Sequence, residues 1–447
     1  MPSLNAANAA RLQKLGIRLP EVLLPKVGTD LSKWAVVACD QYTSDHAYWN
    51  QVDTLVGSAP STVRITLPEI YLEQPGVEDR IAKIHAAMAD YSAKGVLENQ
   101  GESIVYVQRT TEHSGRRDGI VVAMDLERYD YARESKSLIR ATEGTIVDRI
   151  PPRLAVRRAA PLELPHIMIL IQDETKTVIE GLAAKVAEFD VVYDVEAMQN
   201  GGHLKGWKIS KPAHVEAILA SLEALLEKTI AGQNSQEPLF WAMGDGNHSL
   251  ATAKARWEET KQELSAKGEA QESIMAHPAR FALAEIVNIH SPGLLFEPIH
   301  RAVFTSDVPE LTETVLSEAT ADVTQIREED LQKLLVSPEG QNKAGYFDGK
   351  SWYVLSYKGK KLPTARVDEL FGRFLKERPG SRIDFIHGWD DTKKLVAEGA
   401  GVFFTPVIAR ERLFNWVQEN GPLPKKSFSM GHAEEKRYYM EARRIVR

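Results

Sequence analysis

The chain has 447 residues, 43% of them apolar, a formal net charge of −7 and one cysteine, Cys39. One cysteine excludes a disulfide framework, the charge sets aside a nucleic-acid partner that would need a basic face, and the longest apolar run, 166–171, is far short of a membrane span. The N-terminal residues lack the basic and apolar sections of a signal peptide, so a cytoplasmic globular protein of two or three domains is expected.

In chain order, 34–39 (Trp-Ala-Val-Val-Ala-Cys) has the length and β-branching of a buried strand. Asp40 follows it, and Ser44 or Asp45 is placed to cap a helix containing Tyr48 and Trp49. Apolar residues at helical spacing predict a helix over 77–94, stopping at Gly95. Two strands, 103–108 and 119–126, read as an antiparallel pair. Residues 136–158 are rich in Arg, Glu, Thr and Pro, lack periodicity and contain the breaker Pro151-Pro152, so an ordered functional loop is expected there. Strand 166–171, helix 176–188, strand 189–195, helix 213–231 and strand 239–243 alternate as in an α/β protein. A charge-rich helical face is expected over 258–272, and an apolar strand or buried helix over 281–289. Residues 311–334 mix helical and β-like stretches. A hairpin is expected to turn at Asp348-Gly349, and strands 382–387 and 401–407 to flank a helix near 391–398. The fold class is α/β with mixed α+β character, cut softly into 1–97 (an N-terminal segment contributing to the core), 98–300 and 301–447.

The chemistry concentrates at Met243-Gly-Asp-Gly-Asn-His-Ser249, between an apolar strand and an Ala-rich helix. A strand feeding a helix through such a turn presents backbone N–H groups and the positive end of the helix dipole, an anion site. Gly244 and Gly246 permit close approach, and Asp245 can act as acid/base or face a divalent cation beside a phosphate. Asn247 lies in the same turn, where it or Asp245 can cap the helix. His248 can bond phosphate or move a proton, and Ser249 can cap the helix or touch ligand. A plain turn that only caps the helix is the competing reading. The segment is neither a Walker A loop nor a G-x-G-x-x-G fingerprint.

Asp245-Gly-Asn-His resembles the D-G-[HN]-H signature of the ParB/sulfiredoxin-like superfamily. Over a wider span, the blocks 34–43, 59–64, 139–153, 277–280, 287–290, 297–301 and 428–431 resemble the domain-of-unknown-function family 1015. The resemblance implies a ParB-like nucleotide-binding core and kinship with free serine kinases. It further implies ATP or ADP with Mg²⁺ as cofactor, Mg²⁺ held through phosphates with Asp245 beside it rather than by a dedicated ligand set. Serine or phosphoserine is the implied small-molecule partner, with room for a homodimer. Many relatives carry Arg where this chain has Ser249, so another cation must serve the phosphate.

In the 136–158 stretch the family pattern H-E-x-T…D-R appears as Thr142-Glu143-Gly144-Thr145…Asp148-Arg149. Glu143 is the candidate base, Thr145 and Arg149 candidate nucleotide contacts, and Arg140 a candidate substrate contact; a salt-bridged surface loop is the alternative. Asp40 is a candidate substrate contact at a strand end. His203, in the Gly-rich loop 201–207, and Arg301 are candidate cofactor contacts, whereas Cys39 and His290 read as core residues. Lys425, Lys426, Lys436 and Arg437 read as a solvated basic surface. Three functions compete: a nucleotide-dependent phosphotransferase, a phosphoserine phosphatase-like hydrolase, and a non-catalytic nucleotide-binding module.

Overall fold

The computed structural model describes residues 3–359 and 361–447, which divide into two compact units. Unit 1 is Met1–Leu294 with Phe414–Pro422 and His432–Arg447; unit 2 is Leu295–Leu413 with Leu423–Gly431. Residues 1–97 and 98–294 share the first unit.

Unit 1 is built on a ten-stranded mixed sheet, so the protein is α/β. From one edge the order is Asp190–Glu196, His203–Ile209, Ile104–Thr111, Gly115–Asp125, Phe281–Asn288, Met168–Ile171, Trp241–Asp245, Ile139–Arg140 and Tyr129–Asp130, with Ile17–Arg18 paired onto Gly115–Asp125. The strands read as nearly continuous apolar runs because both faces are covered. Along Gly115–Asp125, Ile120, Val122 and Met124 enter one core with helix Pro212–Gln233 and helix Asn247–Ala266. Val121 points the other way, into a core shared with helices His46–Val56 and Val77–Ala93. Asp45 caps the first of these through Tyr48 N, and Gly95, at φ +59°, follows the second.

Four expectations need correction. Residues 35–38 are buried but form no ladder: Trp34 ends helix Leu31–Trp34, Cys39 starts a turn, and only Val37 bridges, to Tyr438. The stretch 136–158 is not all loop. It holds strand Ile139–Arg140 and helix Ile150–Arg158, with Pro151 and Pro152 in the first turn, where proline's missing N–H costs nothing. Residues 180–188 are 3-10 rather than α-helical, and the charged helix ends at Ala266, before a separate short helix Gln271–Met275.

Unit 2 is an antiparallel sheet ordered Ala321–Ile326, Trp352–Tyr357, Lys343–Phe347, Ala400–Phe404, Phe296–Phe304 and Arg382–His387, with Phe428–Met430 added on Phe296–Phe304. Helices Val308–Leu316 and Pro363–Glu377 cover one face and Glu328–Val336 the other. His300 is buried here, its Nδ1 accepting from Thr405 N at 3.2 Å. Burial, then the neighbouring Arg301 and His387, push its pKa down to about 3. The unfolded chain takes up this proton below the ordinary value of 6.5, whereas the folded ring refuses it until about pH 3. The stability it confers is therefore complete above pH 6.5 and drains away as pH falls towards 3, by up to about 1.4 kcal/mol per pH unit. Urea midpoints at pH 7 and 4.5 should converge in His300→Gln relative to wild type; an unchanged gap would remove His300 from the acid sensitivity.

No helix among the described residues is long and apolar enough to cross a membrane.

Candidate functional site

Strand Trp241–Asp245 runs parallel to Ile139–Arg140, Trp241 opposite Ile139 and Ala242 opposite Arg140. Parallel neighbours release their following loops at the same end of the sheet, where α/β proteins hold ligands. The segment after Arg140 and the Gly-Asp-Gly-Asn-His-Ser turn are thus brought side by side. Thr142 Oγ1 donates to Met243 O at 2.5 Å, and Ile146 N donates to His248 Nε2 at 3.4 Å. Each loop also carries a buried polar atom with no protein hydrogen-bond partner: Thr145 Oγ1 and Asn247 Oδ1. Both atoms are left to bond water or a ligand. Glu143 is half-buried in the same loop, with Asp148 and Arg149 exposed beyond it.

Gly246 makes the turn, at φ +79°, and a Cβ there would lie 3.1 Å from Ile167 Cα. Helix Asn247–Ala266 starts immediately after it, its first bond running from Leu250 N to Gly246 O. The N–H groups of Asn247 and Ser249 consequently have no acceptor within the helix. Asp245 accepts from Gly246 N at 2.9 Å and lies 3.1 Å from Lys436 Nζ. Burial opposes ionisation of Asp245, but the Lys436 ammonium, with Gly246 N–H and His166, outweighs it and holds the carboxyl below its ordinary range. Asp245 is therefore a fixed anion near neutral pH. It suits facing a cation better than donating a proton.

Ser249, third in the helix, does not cap it; its Oγ lies 2.6 Å from His166 Nε2. His166 Nδ1 is 2.7 Å from Tyr439 Oη, which accepts from Cys39 N at 3.0 Å. Burial keeps the Tyr439 phenol protonated, so its hydrogen is available for Nδ1. Ser249, His166 and Tyr439 thus form one continuous hydrogen-bonded chain. Asp40 stands beside the ring, 3.9 Å from Nε2. The Cys39 thiol is pushed far above its usual value by burial and by the Asp40 and Glu69 carboxylates, which leaves it a poor nucleophile.

Three expected contacts are not brought to this place. Arg140 is a structural clamp: Nε donates to Ser137 O at 2.7 Å, Nη1 to Gln418 Oε1 at 2.7 Å and Nη2 to Glu237 O at 2.6 Å. His203 pairs with Asp194 at 2.7 Å near the sheet edge, its strand separated by four others from the strand that ends at Asp245. Arg301 is fully buried in unit 2, forked onto Asp368 at 3.0 and 3.2 Å. All three guanidinium or imidazole groups already have protein partners, which sequence spacing does not reveal.

Conversely, Lys436 and Arg437 are not a solvated surface; they are 9% and 5% exposed. The legible signal is their company. Lys436-Arg-Tyr-Tyr-Met-Glu441 sets charges directly against three large apolar side chains, unlike a solvent-facing run. His166 and Tyr439 carry no comparable mark.

The model of the family described as "Protein of unknown function (DUF1015)" matches residues 23–374. The chain belongs to this family. No curated protein matches this DUF1015 chain. Among solved structures, a free serine kinase variant in complex with AMP aligns at TM-score 0.38 and 11% identity, over 75% of this chain and 95% of that one. Another variant in complex with ADP aligns at 0.37 and 10% over the same shares. A conserved hypothetical protein from Pyrococcus furiosus aligns at 0.36 and 9%, over 73% and 95%.

Proposed function

We propose that this DUF1015 protein is a cytoplasmic, nucleotide-dependent phosphotransferase with a ParB-like core, acting on a small hydroxyl acceptor. The observation that carries the reading is the pair of adjoining loops, each with a buried polar atom lacking a protein partner, at the start of a helix whose first N–H groups have no acceptor within the helix. The helix N-terminus and Lys436 would receive the phosphates, Lys436 supplying the cation that Ser249 does not. Ionised Asp245 fits the part of facing a Mg²⁺ ion carried with those phosphates, which would neutralise their charge. Glu143 would accept the acceptor hydroxyl's proton as its oxygen attacks the terminal phosphorus, the phosphorus–oxygen bond to the nucleotide breaking and the electron pair leaving with the nucleotide. Asp40 would stand on the acceptor side.

Incubation with ATP or ADP, Mg²⁺ and serine, the acceptor suggested by the family resemblance, should yield O-phosphoserine, and Glu143→Gln should lower the rate about 10²–10⁴-fold. No product from any nucleotide with serine or simple alcohols would sink the phosphotransferase reading. Phosphate release from phosphoserine without nucleotide would replace it with a hydrolase.

A further inference from the structure

Behind the Ser249–His166 pair, within unit 1, lies a cavity of about 140 Å³. Its walls are largely aliphatic: Leu67, Leu72, Met88, Val156, Leu162 and Ile167. Ser249, His166 and Tyr439 form a polar end. A cavity near 150 Å³ with aliphatic walls is the size that takes a benzene ring.

The charged groups of the lining are spent on protein partners. Arg153 forks onto Glu69 at 2.6 and 2.5 Å. Glu163 is held by Arg157 and by two nitrogens of Arg443 at 2.8 and 2.6 Å, and accepts from Leu283 N at 2.9 Å. A zwitterion such as serine would bury an ammonium and a carboxylate here without counter-charges, which is costly. A neutral hydroxyl faces no such cost. Ser249 Oγ, 2.6 Å from His166 Nε2, keeps a lone pair for a second hydroxyl whichever of the two atoms donates.

We propose that this cavity is a binding site for neutral alcohols with an apolar body about the size of a benzene ring, the hydroxyl held at Ser249, separate from the place where a serine acceptor would be phosphorylated. Binding here does not rest on the phosphotransferase reading. The test is calorimetric titration of the full chain with benzyl alcohol, and separately with ADP, in wild type, Val156→Phe and Leu72→Phe. Both positions are half-buried, so a larger ring can enter the cavity without displacing a sealed core. Benzyl alcohol should bind wild type, weaken at least tenfold in each folded variant, and survive excess serine, with ADP affinity unchanged. No binding, equal affinity in the variants, or displacement by serine would overturn the subsite. If both variants fail to fold, the same titration followed by amide chemical shifts decides: perturbation away from the cavity lining would overturn it. Binding of benzyl alcohol without ADP would keep the cavity and remove the phosphotransferase reading; ADP binding alone would do the opposite.

Discussion

Asp245→Asn is expected to lower phosphoryl transfer about 10²–10³-fold, the range for removing one preorganised electrostatic group from a reacting site. The substitution is nearly isosteric, and the amide oxygen can still accept from Gly246 N, as Oδ1 does at 2.9 Å in the native turn. What disappears is the negative charge. Lys436, 3.1 Å away, then loses its counter-ion and the cation beside the phosphates loses its partner. The Asp245 side chain is 26% exposed but that of Lys436 only 11%, so stranding the ammonium should cost more than a surface pair does, about 1–3 kcal/mol. The signature is therefore a rate loss in protein that is still folded, read from steady-state rates and urea midpoints of the same preparation. Wild-type turnover would return the turn to a purely structural role.

The largest loss of stability is expected from Arg437→Met. Arg437 is 5% exposed, and it pairs with Glu285 and, at 2.5 Å, with Glu441, while its Nε donates to Pro165 O at 2.9 Å. Burial weighs against both the guanidinium and the Glu285 carboxylate; Glu441 and then Glu285 keep the guanidinium charged, and Arg437 and then Arg117 keep Glu285 ionised. Gly119 shows how closely this place is filled, since a Cβ there would meet Glu285 Oε1 at 2.5 Å. Methionine restores the apolar volume but strands two buried carboxylates, a loss of about 3–5 kcal/mol. Arg117 Nε, 3.9 Å from Glu285, still supplies it with positive charge, so Glu441 is the carboxylate left most fully stranded. Chemical denaturation should show that loss, and adding Glu285→Gln to the variant should recover part of it. A shift below about 1 kcal/mol would mean that water reaches these carboxylates and the pair is not a structural one.

The sequence made the sheet legible where period and length agree. The strands over 104–125, the helix over 77–93 and the strand into Asp245 all follow from apolar spacing, because both sheet faces and the inner helix faces are packed. Irregular pieces were less legible. Residues 34–39 have strand composition, but their backbone has only Tyr438 to bridge with, a partner some 400 positions away that no local pattern announces. Pro151-Pro152 looked like a breaker and starts a helix instead, because the two effects of proline differ only by position within the turn. In the site, Asp245, Glu143 and Thr145 could be picked out because they lie in glycine-rich or aperiodic stretches at strand ends. Lys436, His166 and Tyr439 could not, since their place depends on the C-terminal segment returning to the sheet. Arg140 and Arg301 misled for the same reason in reverse: a buried arginine with an internal partner has the same local sequence as one awaiting an anion.

The most direct measurement is a structure of the wild-type protein with ADP bound. Phosphate oxygens are expected about 3 Å from the N–H groups of Asn247 and Ser249 and from Lys436 Nζ, with Thr145 Oγ1 or Asn247 Oδ1 satisfied by the ligand. Phosphates lodged elsewhere, with the Gly246 turn bare and the Asp245–Lys436 pair unchanged, would contradict the assignment of this loop as the phosphate site.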